Sequence, residues 1–448
     1  MNSPAATPHA PPLANAALLR NVFALAAPTT LVALLQVAAQ LVETWLAARQ
    51  GTAALAGWAV MLPFALLMQQ MSTGAMGGGV VSAIARALGA ARIDEASSLV
   101  MHALTIALAA GLAFTIGLCL FGATILESVA GAEAAQAAHG YVLLLFGLGA
   151  VPSWLANTFA SVLRGGGRHA LAARTLTLTW IAFPLLAWVL CEPAGMGLGG
   201  IGAAFSLVFI AAALSMAIVV LRGGAGFMPV FRQRLKADLF RRILSIGATA
   251  CGLAAIANLT TILVTRQLRE YGTAAVAAYG ISARLEFLII PLAFGVGSAL
   301  TALVGKAAGG NDWPTARRLA WLGGAVTFAA TALLGIGVAL GSDRFTAFFT
   351  QDAQVAAIAA AALGFIGPAF GGLGLGMALY FASMGAGRMK WPVLAALSRI
   401  VLAVGGGWLL ANVAGMGMSG HFLGVALGLA AYGLFGAAGV RKAVWSAR

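Results

Sequence analysis

The chain is a succession of long apolar runs separated by short polar breaks. Charge-free stretches occupy residues 21–42, 50–85, 96–126, 134–163, 193–221, 243–265, 319–342, 353–387 and 400–440. They are continuously apolar and rich in Ala, Leu and Gly, unlike the alternating segments of about ten residues that build a membrane β-barrel. A bilayer core of about 30 Å takes about 20 apolar residues per helix. The longer runs therefore hold a helix plus a turn, or two helices; Gly415, Gly417, Ser419 and Gly420 interrupt the last one. The pattern predicts an all-α polytopic membrane protein of twelve helices, over 21–47, 54–76, 97–122, 138–163, 171–192, 200–221, 241–266, 274–302, 318–341, 356–384, 391–413 and 421–440.

Those helices fall into two copies. Gly51-Thr-Ala-Ala-Leu-Ala56 recurs as Gly272-Thr-Ala-Ala-Val-Ala277, and Ala194-Gly-Met-Gly197 recurs as Ala414-Gly-Met-Gly417. Phe159-Ala-Ser161 with Gly165-Gly-Gly-Arg168 matches Phe381-Ala-Ser383 with Gly385-Ala-Gly-Arg388. The three pairs are collinear at a nearly constant offset, which chance does not readily produce even in an Ala- and Gly-rich chain. Six helices per copy is an even number, so both halves enter from the same side and form parallel lobes related by a pseudo-two-fold axis along the membrane normal. The expected divisions are a tail at 1–20, an N-lobe at 21–221, a basic linker at 222–240, a C-lobe at 241–440 and a tail at 441–448.

Composition agrees: 61% of the 448 residues are hydrophobic and 8% are charged, against about a quarter charged in a soluble domain. The net charge of +14 does not point to nucleic acid, because its distribution encodes topology. Of the 26 Lys and Arg, 21 fall in the termini and in loops 2–3, 4–5, 6–7, 8–9 and 10–11. Arg49, Arg266, Arg269 and Arg344 lie on the other side, and Arg284 lies within a helix. This asymmetry places both termini in the cytoplasm. Arg232, Arg234, Lys236, Arg241 and Arg242 form the densest run, which is also suited to anionic lipid head groups. The first twenty residues carry no apolar core with a cleavage box, so the first helix is expected to stay.

Polar groups at membrane depth cost several kcal/mol unless paired or facing water. Gln36, Gln40 and Glu43 share one face of the first helix, either as a stripe turned from lipid or with Glu43 reaching the interface beside Arg49. In the repeated helix Asn258, Thr261 and Thr265 form a stripe without an acid. Arg284 and Glu286 lie deep in the eighth helix; two apart, they do not face each other, and each needs another partner, in a structural network or in transport. Ser153, Asn157 and Ser161, with Thr175 and Thr179, are more simply read as helix–helix hydrogen bonds than as a pathway lining. Pro28, Pro63, Pro152, Pro184, Pro291 and Pro368 should kink their helices.

No enzyme constellation is present. His102, His139, His169 and His421 are scattered, and Cys119, Cys191 and Cys251 have no CxxC spacing. Without a Walker motif the driving force is an ion gradient or that of the substrate, with no cofactor.

The stretch LAAPTTLVALLQVAAQLVETWLAARQGTAALAG, with its early proline, its acid-Thr pair and its Gly-x-x-Ala-Leu-Ala turn, resembles the first helix of the multidrug and toxic compound extrusion (MATE) family. VVSAIARALGAARIDEA, VLRGGGRHALAARTL and AAYGISARLEFLIIPLAFGVGSALTALVGKAAGG are similar to further segments of the family, in its prokaryotic branch of DNA-damage-inducible exporters. The resemblance covers nearly the whole chain. It implies a monomeric transporter of the bacterial inner membrane, with a central cavity, exporting amphipathic, often cationic small molecules against inward H⁺ or Na⁺. By position Glu43 takes the place of the family's helix-1 aspartate, with Gln40, Gln36 and Thr179 around it, and Arg284, Glu286, Asn157, Asn258 and Thr261 are candidates for the cavity. The family's Asn-x-x-x-Asp in helix 5 falls on Thr179 and Phe183, and the second lobe lacks the acids of Na⁺-coupled members. A proton needs one titratable group where Na⁺ needs several oxygens, so H⁺ is the expected coupling ion. A flippase for lipid-linked precursors, from the same wider superfamily, is the alternative.

Overall fold

A helix satisfies its backbone N–H and C=O groups within its own segment, as a lipid environment requires. The structure, a computed structural model, describes residues 14–231 and 234–446. Eleven of its helical stretches are long and apolar enough to cross a membrane. One of them, Ile93–Leu148, runs for 56 residues, or about 84 Å at 1.5 Å per residue, about twice the thickness of a whole bilayer. The chain turns back within it at Gly131, with φ of +88° and ψ of 168°, between the exposed acids Glu127 and Glu133. Two crossings result, and the total is the expected twelve.

In chain order these are α1 (Asn15–Arg49), α2 (Thr52–Gly89), α3 (93–130), α4 (132–165), α5 (His169–Cys191) and α6 (Leu198–Leu221). They are followed by α7 (Ala237–Leu268), α8 (Thr273–Gly309), α9 (Trp313–Leu340), α10 (Ala353–Gly385), α11 (Lys390–Val413) and α12 (Met418–Gly439). Pro28, Pro63, Pro184 and Pro291 are carried inside α1, α2, α5 and α8, whereas Pro368 interrupts α10 with a 3₁₀ turn, Gly367–Ala369. Wider π-helical turns occur at Met71–Ala75 in α2 and Leu143–Leu148 in α4; Pro152 follows the second of these.

The sequence repeat is a repeat of backbone geometry. Gly51 and Gly272, which precede α2 and α8, have φ of +97° and +95°, and Gly197 and Gly417, before α6 and α12, have +55° and +58°. An L side chain is disfavoured at such angles, so the glycines persist where neighbouring letters diverge. Ala91 and Asn311, at φ of +56° and +61°, are a further equivalent pair that the letters conceal.

Each six-helix lobe has its own core. The first packs around Trp154, Phe146, Phe183 and Phe209, the second around Phe370, Leu373, Phe422 and Leu429. Leu41, Leu333, Leu340 and Leu434 are among the large apolar side chains left on the outside, where lipid is their solvent.

The lobes meet at the end that carries most of the Lys and Arg, here the basic end. Ser82 Oγ on α2 donates to Met384 O on α10 at 2.6 Å, Glu95 pairs with Arg242, and Arg318 Nη2 donates to Asn15 Oδ1 at 2.7 Å. Near mid-depth Gly247 of α7 abuts Met76, and Gly295 of α8 abuts Thr30. Eleven residues, about three turns, separate Gly247 from Asn258 and Gly295 from Arg284. The same helix faces that touch the first lobe at Gly247 and Gly295 are exposed at Asn258 and Arg284. The lobes therefore diverge toward the opposite end and enclose a cleft.

Candidate functional site

Glu43 lies in α1, six residues before its end, and is only 8% exposed. Trp58 Nε1 from α2 and Tyr141 OH from α4 both donate to its Oε1, at 3.0 and 3.1 Å. Its Oε2 accepts no hydrogen bond from the described residues. Arg49, the partner expected if Glu43 reached the interface, instead bonds Glu192 beyond α5, at 3.0 Å. Of the two sequence alternatives, the inward one describes this carboxylate: it is buried in the first lobe and held by two neutral donors, with no ion-pairing cation among the described residues.

Its expected companions are less closely joined. Gln36 and Gln40 share its face and are half-buried, but no described hydrogen bond links their side chains to it. Thr179 Oγ1 donates to Thr175 O of its own helix at 2.9 Å. One turn on, Phe183 stacks edge-on against Trp180 and Phe205, so apolar rings fill the space that a second acid would need. Thr179 is buried with its hydroxyl bonded within its own helix, and no described hydrogen bond links it to Glu43.

Asn157 lies in a polar contact between helices. It is 2% exposed and donates to Gln69 Oε1 at 3.1 Å and Ser72 Oγ at 2.9 Å, while Gln69 Nε2 donates to Ser153 Oγ at 3.1 Å. This network ties α2, at its π-helical turn, to α4.

In the second lobe Glu286 finds its partner in Arg399 of α11. Counting Lys and Arg by loop assigned Arg399 to a connection; it lies inside α11 and is buried. Arg284 and Asn258 are exposed on the cleft-facing sides of α8 and α7, and Thr261, one turn from Asn258, is half-buried. Among the described residues, the exposed charge on these faces is that of Arg284. Of the basic run between the lobes, Arg232 lies outside the described residues and Arg242 is engaged by Glu95.

Trp58, Tyr141 and Arg399 are the contacts the sequence did not yield. A Trp at an apolar position and an Arg near a helix end carry no mark of the tertiary partner they meet.

The family model MatE matches residues 28–191 and 250–409. A relative from Rhodopseudomonas palustris, named probable multidrug resistance protein NorM, is 28% identical over 91% of this chain and 88% of its own. Another protein of that name, from Deinococcus radiodurans, is 28% identical over 95% of each chain. Among solved structures, the Vibrio cholerae MATE transporter VcmN superposes with a TM-score of 0.88 at 19% identity, covering 96% of this chain and 98% of that one. A MOP superfamily transporter from Pyrococcus furiosus, described with a binding pocket of reverse polarity that suggests a different function, superposes at 0.87 and 20% identity over 95% and 96%. Twelve crossings in two repeated lobes and a family match across both establish that the chain belongs to the MATE family of membrane transporters.

Proposed function

We propose that this chain is a proton-coupled exporter of amphipathic small molecules. It works by alternating access in the bacterial inner membrane, with the basic end and both termini in the cytoplasm and the divisions between tails, lobes and linker as the sequence places them. The relatives named for multidrug resistance and the distribution of Lys and Arg support this reading. The observation that carries it is Glu43, a buried carboxylate with one oxygen held by two donors and the other unengaged.

That arrangement suits a proton. Oε1 is fixed by Trp58 and Tyr141, so the proton adds at Oε2 and removes the site's charge without recruiting new ligands. A Na⁺ ion takes several oxygens, and the Trp58 N–H, a donor only, occupies one direction of approach to the carboxylate. Coupling follows if the neutral and ionised acids favour different arrangements of the first lobe, since a ligand shifts only an equilibrium whose states it binds unequally. The family resemblance implies cationic cargo, whereas the exposed charge at the cleft wall is Arg284.

The test is uptake of a fluorescent amphiphile into energised inverted vesicles under separate H⁺ and Na⁺ gradients. An acid lumen should drive uptake, and Glu43→Gln should abolish it. A Na⁺ gradient alone sufficing would overturn proton coupling; uptake under neither gradient would favour the flippase reading.

A further inference from the structure

We infer that Arg164 is a binding residue for an oxyanionic group on the cargo, reached when the lobes part at the basic end and covered by Phe294 when they close. This rests on the alternating-access reading above and adds the charge class of what is carried.

Arg164 is the penultimate residue of α4, just before the turn at Gly166–Gly167, yet is 3% exposed. No described carboxylate lies within ion-pair distance of it, and its buried Nε has no hydrogen-bond acceptor. The face of Phe294, on α8 of the other lobe, sits with its ring centroid 5.8 Å from the guanidinium. Capping its own helix does not explain the residue, because Val162 O, Leu163 O and Arg164 O already accept from the backbone N–H groups of Gly166, Arg168 and Gly167. A buried cation without a counter-ion is strongly unfavourable, and a ring face returns only part of the loss.

The location says what is missing. Arg164 lines a narrow crevice between the lobes with Thr73 and Gly78 of α2, Ser298 and Thr301 of α8 and Phe381 of α10. Every one of these neighbours lies in the basic-end half or near mid-depth, where the lobes are in contact. When that end opens, Phe294, Ser298 and Thr301 leave with the second lobe, and Arg164 faces the aqueous space from which cargo loads. A carboxylate, sulfonate or phosphate then meets a guanidinium in a low-dielectric wall, where charge-assisted hydrogen bonds are strongest. On closure the ring of Phe294 takes the anion's place, leaving the anionic group to move into the cleft, where Arg284 stands exposed. Phe294 is thus the competitor that makes the site release what it loaded.

The experiment compares a rhodamine free acid with its methyl ester, two amphiphiles that differ by one carboxylate, in proteoliposomes of the full chain. Arg164→Gln should slow the free acid by about tenfold or more, the loss of one charge-assisted hydrogen bond, and leave the ester nearly unchanged. Arg164→Lys, which keeps the charge and so guards against misfolding, should retain most free-acid transport. Equal slowing of both dyes, or of neither, overturns the assignment. Replacing chloride by inorganic sulfate at constant ionic strength separates the sources: if the rates of both dyes then shift together and Arg164→Gln removes that response, the occupant is a free anion and the cargo assignment falls. If the wild type moves neither dye, the exporter reading fails by itself, and anisotropy of the dyes with detergent-solubilised protein decides the site. Tighter free-acid binding that vanishes in Arg164→Gln supports it; no preference in the wild type overturns it.

Discussion

Glu286 on α8 and Arg399 on α11 form an ion pair inside the second lobe, with 17% and 10% of their side chains exposed. Removing one member of so enclosed a pair strands the other, at a cost of about 3–5 kcal/mol, whereas replacing both by apolar groups of similar volume is often neutral. Arg399→Met should therefore lower the melting temperature of the purified protein sharply, and the double variant Glu286→Met, Arg399→Met should recover most of it. Transport should recover with it if the pair is structural. A double variant that melts like the wild type but carries nothing would place the pair in the mechanism instead.

Trp58 and Tyr141 give Glu43 its two hydrogen bonds, each worth about 1.5–3 kcal/mol to the ionised acid. Trp58→Phe and Tyr141→Phe keep most of the packing and delete one donor apiece. Each is expected to slow proton-driven uptake several-fold while Glu43→Gln stops it, with cargo binding by the detergent-solubilised protein preserved in all three. If both donor variants transport at the wild-type rate, the orientation of Oε1 is irrelevant to coupling.

The architecture was legible because lipid imposes it: apolar runs long enough for twelve helices, an even count per half and glycines held by backbone angles all survive as letters. The site was legible only in its first residue. Glu43 is conspicuous as an acid in an apolar helix, but Trp58 and Tyr141 reach it from α2 and α4 through packing that no spacing encodes. Arg164 and Arg399 read as loop cations because a charge a few residues from a helix end looks the same whether the next lobe covers it or not. Asn157 was ambiguous for the converse reason. A polar residue on an apolar face fits a helix contact or a pathway, and its letters do not name partners such as Gln69 and Ser72.

At the end where the cleft widens, Arg49 and Gln50 both bond Glu192, and the Arg49 hydrogen bond holds the Glu192 carboxyl below the ordinary carboxylate value of 4.5. A group whose folded pKa is depressed stabilises the fold above its unfolded pKa and loses that contribution as pH falls through the folded one. Wild type should therefore melt slightly above Glu192→Gln at pH 7, the gap should close as pH drops below about 4.5, and salt should narrow it because the pair is exposed. A gap that persists unchanged at pH 3 would mean that shape rather than charge ties these helix ends together.

Closure at the basic end depends on a crossing of α2 and α8 that obeys the pseudo-two-fold relation. A Cβ on Gly89 would stand 2.0 Å from Lys306 O, and one on Gly309 would stand 2.1 Å from Arg86 O. Both obstacles are backbone, so neither can swing aside, and Gly89→Ala or Gly309→Ala must force the two helices apart where the lobes now touch. On the alternating-access reading the lobes rock about their contact, and separation there brings the far ends together. Thr52 and Thr273, the equivalent exposed residues that open α2 and α8, report that end. Spin labels at these two positions should show a shorter mean distance in Gly89→Ala than in the parent, with the same direction in Gly309→Ala. An unchanged distance in both variants would mean that α2 and α8 slide past the methyl group locally, and that the glycine crossing is not what holds the basic end shut.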